Sequence, residues 1–246
     1  VSFFAISAMK WLSMDHIPRN WLELNERVAV AAKRAGRSAA EITIVAVTKT
    51  RSAEQVSAAL AAGVTDVGEN RTQEAEGKRG KVHGAARWHL IGQLQRNKAG
   101  RAVDLFDVVQ SVDSSRLADA LNRRAAEAER CLEMLLQVNT SGAGHQGGVE
   151  PDQLPVLLDH VADLEHLRVS GLMTIAAHSD NKEDVRGCFR RLYGLAQEHR
   201  HHGPSCLDAL SMGMSGDFEI AIEEGATMIR VGTVLFGERV IDGKTA

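Results

Sequence analysis

The chain has 246 residues, 44% hydrophobic and 25% charged, with a net charge of −3. This is the balance of a soluble globular protein; there is no basic excess to argue for nucleic acid, and the charges are interspersed rather than blocked. Cys131, Cys188 and Cys206 are far apart and form no CxxC pair, so neither a disulfide framework nor a zinc site is indicated, and a reducing, cytoplasmic setting is expected.

Residues 1–14 are apolar but too short to span a bilayer, and Lys10 interrupts them without a basic region in front. They read as an extension outside the fold, with 15–246 as one domain and no membrane association. A helix is predicted over Arg19–Arg34, followed by the β-branched run Ile42–Thr48, which reads as a strand buried on both faces. Lys49 closes that run. At such a strand end a lysine either snorkels to solvent or stands desolvated and nucleophilic at a ligand site. The pattern then alternates. Strands are predicted at Asp66–Gly68, Trp88–Gly92, Val108–Val112, Glu133–Val138, Val169–Thr174, Leu207–Met212 and Met228–Val231. Helical patterns lie between them at Ala53–Ala62, Arg116–Glu129, Gln153–Leu164, Glu183–His199 and Phe218–Glu224, the last closed by Gly225 as a C-cap.

Eight strands, each followed by a helix or helical turn, fit a single (β/α)8 TIM barrel with an extra N-terminal helix. A doubly wound open sheet is the alternative. No Pro/Gly/Ser-rich linker divides the chain, and the longest irregular stretch is Thr140–Gly148.

In a barrel the strand C-termini form the active face. Polar groups and glycines converge there: Lys49, Glu69-Asn70, Gln93, Asp113-Ser114, Asn139-Thr140, Gly213-Met214-Ser215 and Gly232-Thr233. The loops after strands seven and eight are the usual phosphate site of barrels, and glycine lets an anion approach backbone N–H groups. Ser215 is expected to cap the following helix; the plainer reading makes it only a cap and the glycines only turns. A phosphate handle with a carbonyl near Lys49 points to pyridoxal phosphate.

The same stretches carry a resemblance. Ala46-Val47-Thr48-Lys49-Thr50, Gly68-Glu69-Asn70, Trp88-His89-Leu90-Ile91-Gly92 and Leu94-Gln95-Arg96-Asn97-Lys98 are followed in order by Gln137-Val138-Asn139, Gly171-Leu172-Met173, Leu210 through Ser215, and Arg230-Val231-Gly232-Thr233. Together they resemble the pyridoxal phosphate homeostasis protein family, single-domain relatives of the alanine racemase N-terminal barrel. The resemblance implies an internal aldimine on Lys49 and a phosphate held by Ser215, Gly232 and Thr233. It further implies that Arg230 faces the pyridine nitrogen and that Asn70 and Met214 line the pocket. Two positions depart from the family pattern: Gly144-His145-Gln146-Gly147-Gly148 lacks its lysine, and Arg71 stands where an aromatic is common.

A lysine amine attacks an aldehyde only when neutral, and its ordinary pKa is about 10.4; an apolar mouth could supply the desolvation. Arg230 can only donate, which keeps the ring nitrogen unprotonated and weakens the electron sink that carbanion chemistry needs. That disfavours transaminase-type chemistry; alanine racemases share such an arginine, but they need a second acid/base on the opposite face, contributed by a tyrosine from a further domain. The one tyrosine, Tyr193, falls mid-helix and reads as a packing residue; Cys206 or His178 are poor substitutes. The expectation is a monomeric carrier that stores, buffers or delivers pyridoxal phosphate without turnover, with apo-enzymes dependent on it as recipients. A fold-type III amino-acid racemase is the alternative.

Other signals have plainer readings. His199, His201 and His202 near a helix end complement its dipole without any metal. Arg96, Lys98 and Arg101 form a solvated basic face on the ligand side, and His89 is either a pocket wall or a core histidine.

Overall fold

A computed structural model describes residues 16–144, 146–200 and 205–238, with the backbone of 240–241 and 244–245. The extension expected at 1–14, together with His145, His201 and His202, lies outside the described residues. The first helix, α1 (His16–Arg34), buries Ile17, Leu24, Val28, Ala31 and Ala32 along one stripe. Strands and helices then alternate as β1 (Thr43–Val47), α2 (Ala53–Ala61), β2 (Asp66–Glu69), α3 (Thr72–Arg79), β3 (Arg87–Leu90), α4 (Ala99–Leu105), β4 (Val108–Val112) and α5 (Ser115–Glu127). The second half continues as β5 (Leu132–Gln137), α6 (Leu154–Ala162), β6 (Leu167–Met173), α7 (Lys182–Glu198), β7 (Ala209–Ser211), α8 (Phe218–Glu223), β8 (Met228–Val231) and α9 (Thr233–Phe236).

β1 pairs in parallel with both β2 and β8, which closes an eight-stranded barrel in sequential order. The fold is therefore a (β/α)8 barrel, and the open-sheet alternative is excluded by the Ala46–Val231 pairing. Closure buries strands on both faces, which is why they read as near-continuous apolar runs.

Helices α3, α4 and α9 are the elements left unread in the sequence. α3 reads Thr-Gln-Glu-Ala-Glu-Gly-Lys-Arg and buries only Thr72, Ala75 and Lys78, too short an apolar stripe to register as periodic. β7 is shorter than the expected Leu207–Met212. It pairs with β8 only at Ser211–Met228, because the chain leaves the ladder through Gly213 at φ 91°, whose carbonyl accepts from Arg230 N at 3.0 Å.

The main core lies between barrel and helices, and a small separate plug of Val108, Leu135, Met173 and Ala209 fills the lumen. Each fully buried leucine or phenylalanine of this kind contributes about 1.5–3 kcal/mol. At Gly171 the strands approach so closely that a Cβ would fall 1.8 Å from Ala209 O. Gly171→Ala is expected to break the β6–β7 pairing at a cost of about 3 kcal/mol or more, lowering the thermal midpoint by about 6–12 °C for a chain of this size. A melting curve within 2 °C of wild type, on the scale of about 1 kcal/mol or less, would contradict this packing.

Candidate functional site

The alternation along β1 that turns Val45 and Val47 toward the lumen carries Lys49 to the same side, half-buried at the mouth. Thr48 points the other way, and its surroundings fix the strand end. Its hydroxyl donates to Glu69 Oε1 at 2.6 Å. Lys78 Nζ donates to that same oxygen at 2.5 Å and to Thr48 O at 2.7 Å. Just beyond Lys49 the chain reverses through Thr50, a non-glycine residue at φ 64°. That conformation costs about 1–2 kcal/mol, and a hydrogen bond from Thr50 N to Glu74 Oε2 at 3.0 Å helps to hold it.

Across the β1–β8 seam stand the two glycine-bearing loops. Ser215 Oγ accepts from Gly232 N at 3.2 Å and from Val234 N at 3.5 Å, so the β7 loop caps the first turn of α9. The far end of α9 is tied down by α1 and the β1 loop. Asn20 Nδ2 donates to Leu235 O at 3.0 Å and Arg51 Nη2 donates to Gly237 O at 2.6 Å, while His16 Nε2 lies 3.2 Å from Phe236 O. Gly232 sits against Val47, the residue two before Lys49.

Arg230 occupies the lumen just below. It is 4% exposed, and its Nη1 donates to Ser211 Oγ at 2.7 Å and its Nη2 to Thr174 O at 2.8 Å. Both acceptors are neutral, and no carboxylate among the described residues is in ion-pair contact with the guanidinium. Burial lowers its pKa to about 10, against a weaker opposing pull from the Asp217 charge. A cation held this way is poised for an acceptor entering from the mouth. At the ends of β2 and β3 a cleft of about 690 Å³ opens past Asn70, Arg71, Gln73, Gln93 and Lys98.

Comparison with known proteins gives this arrangement a context. The family model for the alanine racemase N-terminal domain matches residues 20–240. The pyridoxal phosphate homeostasis protein of Aquifex aeolicus is 40% identical over 215 residues, covering 87% of this chain and 94% of its own. That of Pseudomonas aeruginosa is 40% identical over 227 residues, covering 92% and 97%. The chain belongs to the pyridoxal phosphate homeostasis protein family. Among solved structures, PipY of Synechococcus elongatus with pyridoxal phosphate bound superposes with a TM-score of 0.77 at 38% identity, covering 87% of this chain and 99% of that one.

The barrel thus brings Lys49, Ser215, Arg230, Gly232 and Thr233 onto the adjacent strand ends β7, β8 and β1, with Asn70 next to them on β2. Asn70 is pressed against β3, where a Cβ on Gly92 would fall 2.3 Å from Asn70 O. Met214 is 41% exposed at the loop surface, its N–H donating to Asp217 Oδ1 at 2.5 Å. The expected capping role of Ser215 is corrected here. Asp217 holds the N-cap position of α8, and the Ser215 hydroxyl faces the β8 loop instead.

The two departures from the family pattern also find places. Gln146 Nε2 donates to Ala176 O at 3.1 Å, tying the β5 loop to the end of β6. Arg71 is exposed on the cleft wall. Tyr193 lies on α7 at 44% exposure with its ring over Gly225, outside the barrel. Cys206 precedes β7, at the opposite end of that strand from the mouth, with its thiol directed at Asp208 Oδ2. His178 is exposed in the loop after β6, and Arg101 pairs with Glu76 at 3.2 Å. Among the described residues no group of histidine, cysteine and carboxylate side chains could hold a metal.

His89 is a core residue, 0% exposed and hydrogen-bonded on both ring nitrogens. Sequence reasoning missed its partners Asp66 and Gln110, and the Arg230 partners Ser211 and Thr174. The available signal was a polar side chain such as Gln110 or Ser211 within an otherwise apolar strand run.

Proposed function

We propose that this protein binds pyridoxal 5′-phosphate and serves its homeostasis in the cytoplasm by storing, buffering or delivering it, without turning over an amino acid. The observation that carries this reading is the buried Arg230 guanidinium with two neutral acceptors, on the strand that pairs with β1 below Lys49 and under the Ser215–Gly232 loops. The residues present fit the cofactor. Arg230 would donate to the ring nitrogen; Ser215, Gly232 and Thr233 would hold the phosphate; Lys49 would supply the amine; Asn70 and Met214 would wall the pocket. When bound, pyridoxal phosphate supplies an aldehyde that a primary amine captures reversibly and a phosphate that anchors it. PipY with pyridoxal phosphate bound and relatives named for pyridoxal phosphate homeostasis support the same reading.

A carrier fits better than a racemase. Tyr193, the single tyrosine of the chain, lies outside the barrel, where it cannot serve as a second acid/base on the far face of the cofactor. The proposed state is a monomer, with apo-enzymes that use the cofactor as recipients. No described helix is long and apolar enough to cross a membrane.

The test is titration with pyridoxal phosphate followed by borohydride reduction and peptide mass mapping. A pyridoxyl group on Lys49 is expected, with no D/L exchange of alanine, serine or glutamate over hours. An unmodified Lys49 at saturation, or exchange that depends on Lys49, would overturn the proposal. Ser215→Ala is expected to weaken pyridoxal phosphate about tenfold, the loss of one charge-assisted hydrogen bond, and to leave unphosphorylated pyridoxal unaffected. Equal losses for both ligands would remove Ser215 from the phosphate.

A further inference from the structure

Arginine carries donors only, and that constrains everything Arg230 touches. Its Nη1 occupies an acceptor site on Ser211 Oγ, so the serine proton points elsewhere, to Gln110 Oε1 at 2.6 Å. With its oxygen placed there, Gln110 turns its NH2 to His89 Nδ1 at 2.9 Å and to Met228 Sδ at 3.0 Å. His89 Nδ1 is then an acceptor, its proton sits on Nε2, and Nε2 donates to Asp66 Oδ1 at 2.9 Å. The other Asp66 oxygen accepts from Thr65 Oγ1 at 2.6 Å. Every link from Arg230 to Asp66 points the same way.

These side chains come from β2, β3, β4, β7 and β8, so the chain crosses the lumen from one wall to the other. Gln110, Ser211 and His89 are buried beside an apolar plug that would pack equally well with aliphatic residues. Burial pushes the Asp66 carboxyl up, but the hydrogen bonds from His89 and Thr65, with Arg87 nearby, outweigh it and hold it below its ordinary value. Asp66 is thus a firm anion at the foot of the chain.

We propose that Ser211, Gln110, His89 and Asp66 are positioning residues for Arg230, forming a one-directional hydrogen-bond chain that holds its remaining donors toward the mouth before a ligand enters. The proposal rests on the reading that Arg230 meets the ring nitrogen of pyridoxal phosphate. It has a consequence at a distance. Asp66→Asn can offer His89 Nε2 a donor; His89 protonated on Nδ1 then turns Gln110 over and aims a second donor at Ser211 Oγ.

The test measures pyridoxal phosphate affinity, the absorption maximum of the bound chromophore and the thermal midpoint for the full chain and for Gln110→Met and Asp66→Asn. Gln110→Met is expected to bind about tenfold more weakly and Asp66→Asn about threefold, on the scale of one lost or misdirected hydrogen bond. Both absorption maxima should be displaced. Nitrogen NMR of the ligand-free wild type should show His89 bare on Nδ1 and protonated on Nε2, a readout that survives if a variant fails to fold. The opposite tautomer overturns the chain. A wild type that binds pyridoxal phosphate while both variants match it within twofold and without spectral change overturns the positioning role alone, whereas a wild type that does not bind overturns the functional reading beneath it.

Discussion

Lys49→Ala is expected to abolish covalent capture of pyridoxal phosphate while leaving the barrel folded. The side chain is half-buried at the end of β1, beyond the last ladder pairing, so truncation removes little packed surface. Its loss leaves the cradle of Ser215 and Gly232 and the Arg230 guanidinium in place. Non-covalent binding should therefore persist, weakened about 100-fold, about 2.7 kcal/mol, with the lysine-dependent absorption band gone. Lys78 does not substitute, because its amine is buried against Glu69 and the Thr48 carbonyl on the other side of the strand. Titration by absorbance and peptide mapping after borohydride check this. Stoichiometric label on another lysine in the variant would reassign the covalent site.

The largest effect on stability is expected from Lys78→Met. Glu69 is 0% exposed, and its Oε1 takes the Lys78 amine and the Thr48 hydroxyl, while its Oε2 has no hydrogen-bond partner. Removing the amine strands a carboxylate in the interior, which costs about 3–5 kcal/mol and should lower the thermal midpoint by about 6–20 °C.

The pH dependence has a definite sign. Burial pushes the Glu69 carboxyl up, and the hydrogen bonds from Lys78 and Thr48 only partly offset it, so the folded value lies above the unfolded one. For a carboxyl raised on folding, the penalty is absent below the unfolded pKa and complete above the folded one. The Lys78→Met deficit should thus be greatest at neutral and alkaline pH and shrink on acidification through the raised value. Urea unfolding at several pH values reads this directly. Glu69→Leu added to Lys78→Met should recover most of the loss, since an apolar pair of similar volume replaces a buried ion pair at little cost. A single-variant deficit under about 1 kcal/mol would mean that the carboxyl is relieved another way. The Thr48 carbonyl also loses its donor, one residue before Lys49, so cofactor affinity should fall with stability.

Both expectations turn on a strand end, and strand ends were the legible part of this chain. Ile42–Thr48 stops at Lys49 because an aliphatic, β-branched run cannot continue into a reversal, and Gly213 and Gly232 punctuate β7 and β8 the same way. Ser215 was placed correctly in its loop but given the wrong partner. The spacing to Phe218 suggested a helix cap, whereas the hydroxyl turns to N–H groups of Gly232 and Val234 on the neighbouring strand's loop. Helices α3 and α4 left too little apolar periodicity to be read.

Local side-chain preference by itself determined eight buried strands, five of the helices that follow them, and which residues stand at the strands' carboxyl ends. It could not decide that β8 closes onto β1, or that Asp66, His89, Gln110, Ser211 and Arg230 share one line of hydrogen bonds. Those facts depend on contacts between residues as much as 185 positions apart, Thr43 to Met228, where a polar residue in an apolar run looks like an interruption until the opposite wall supplies its partner. Periodicity reports which face is buried; only the closed barrel decides what that face meets.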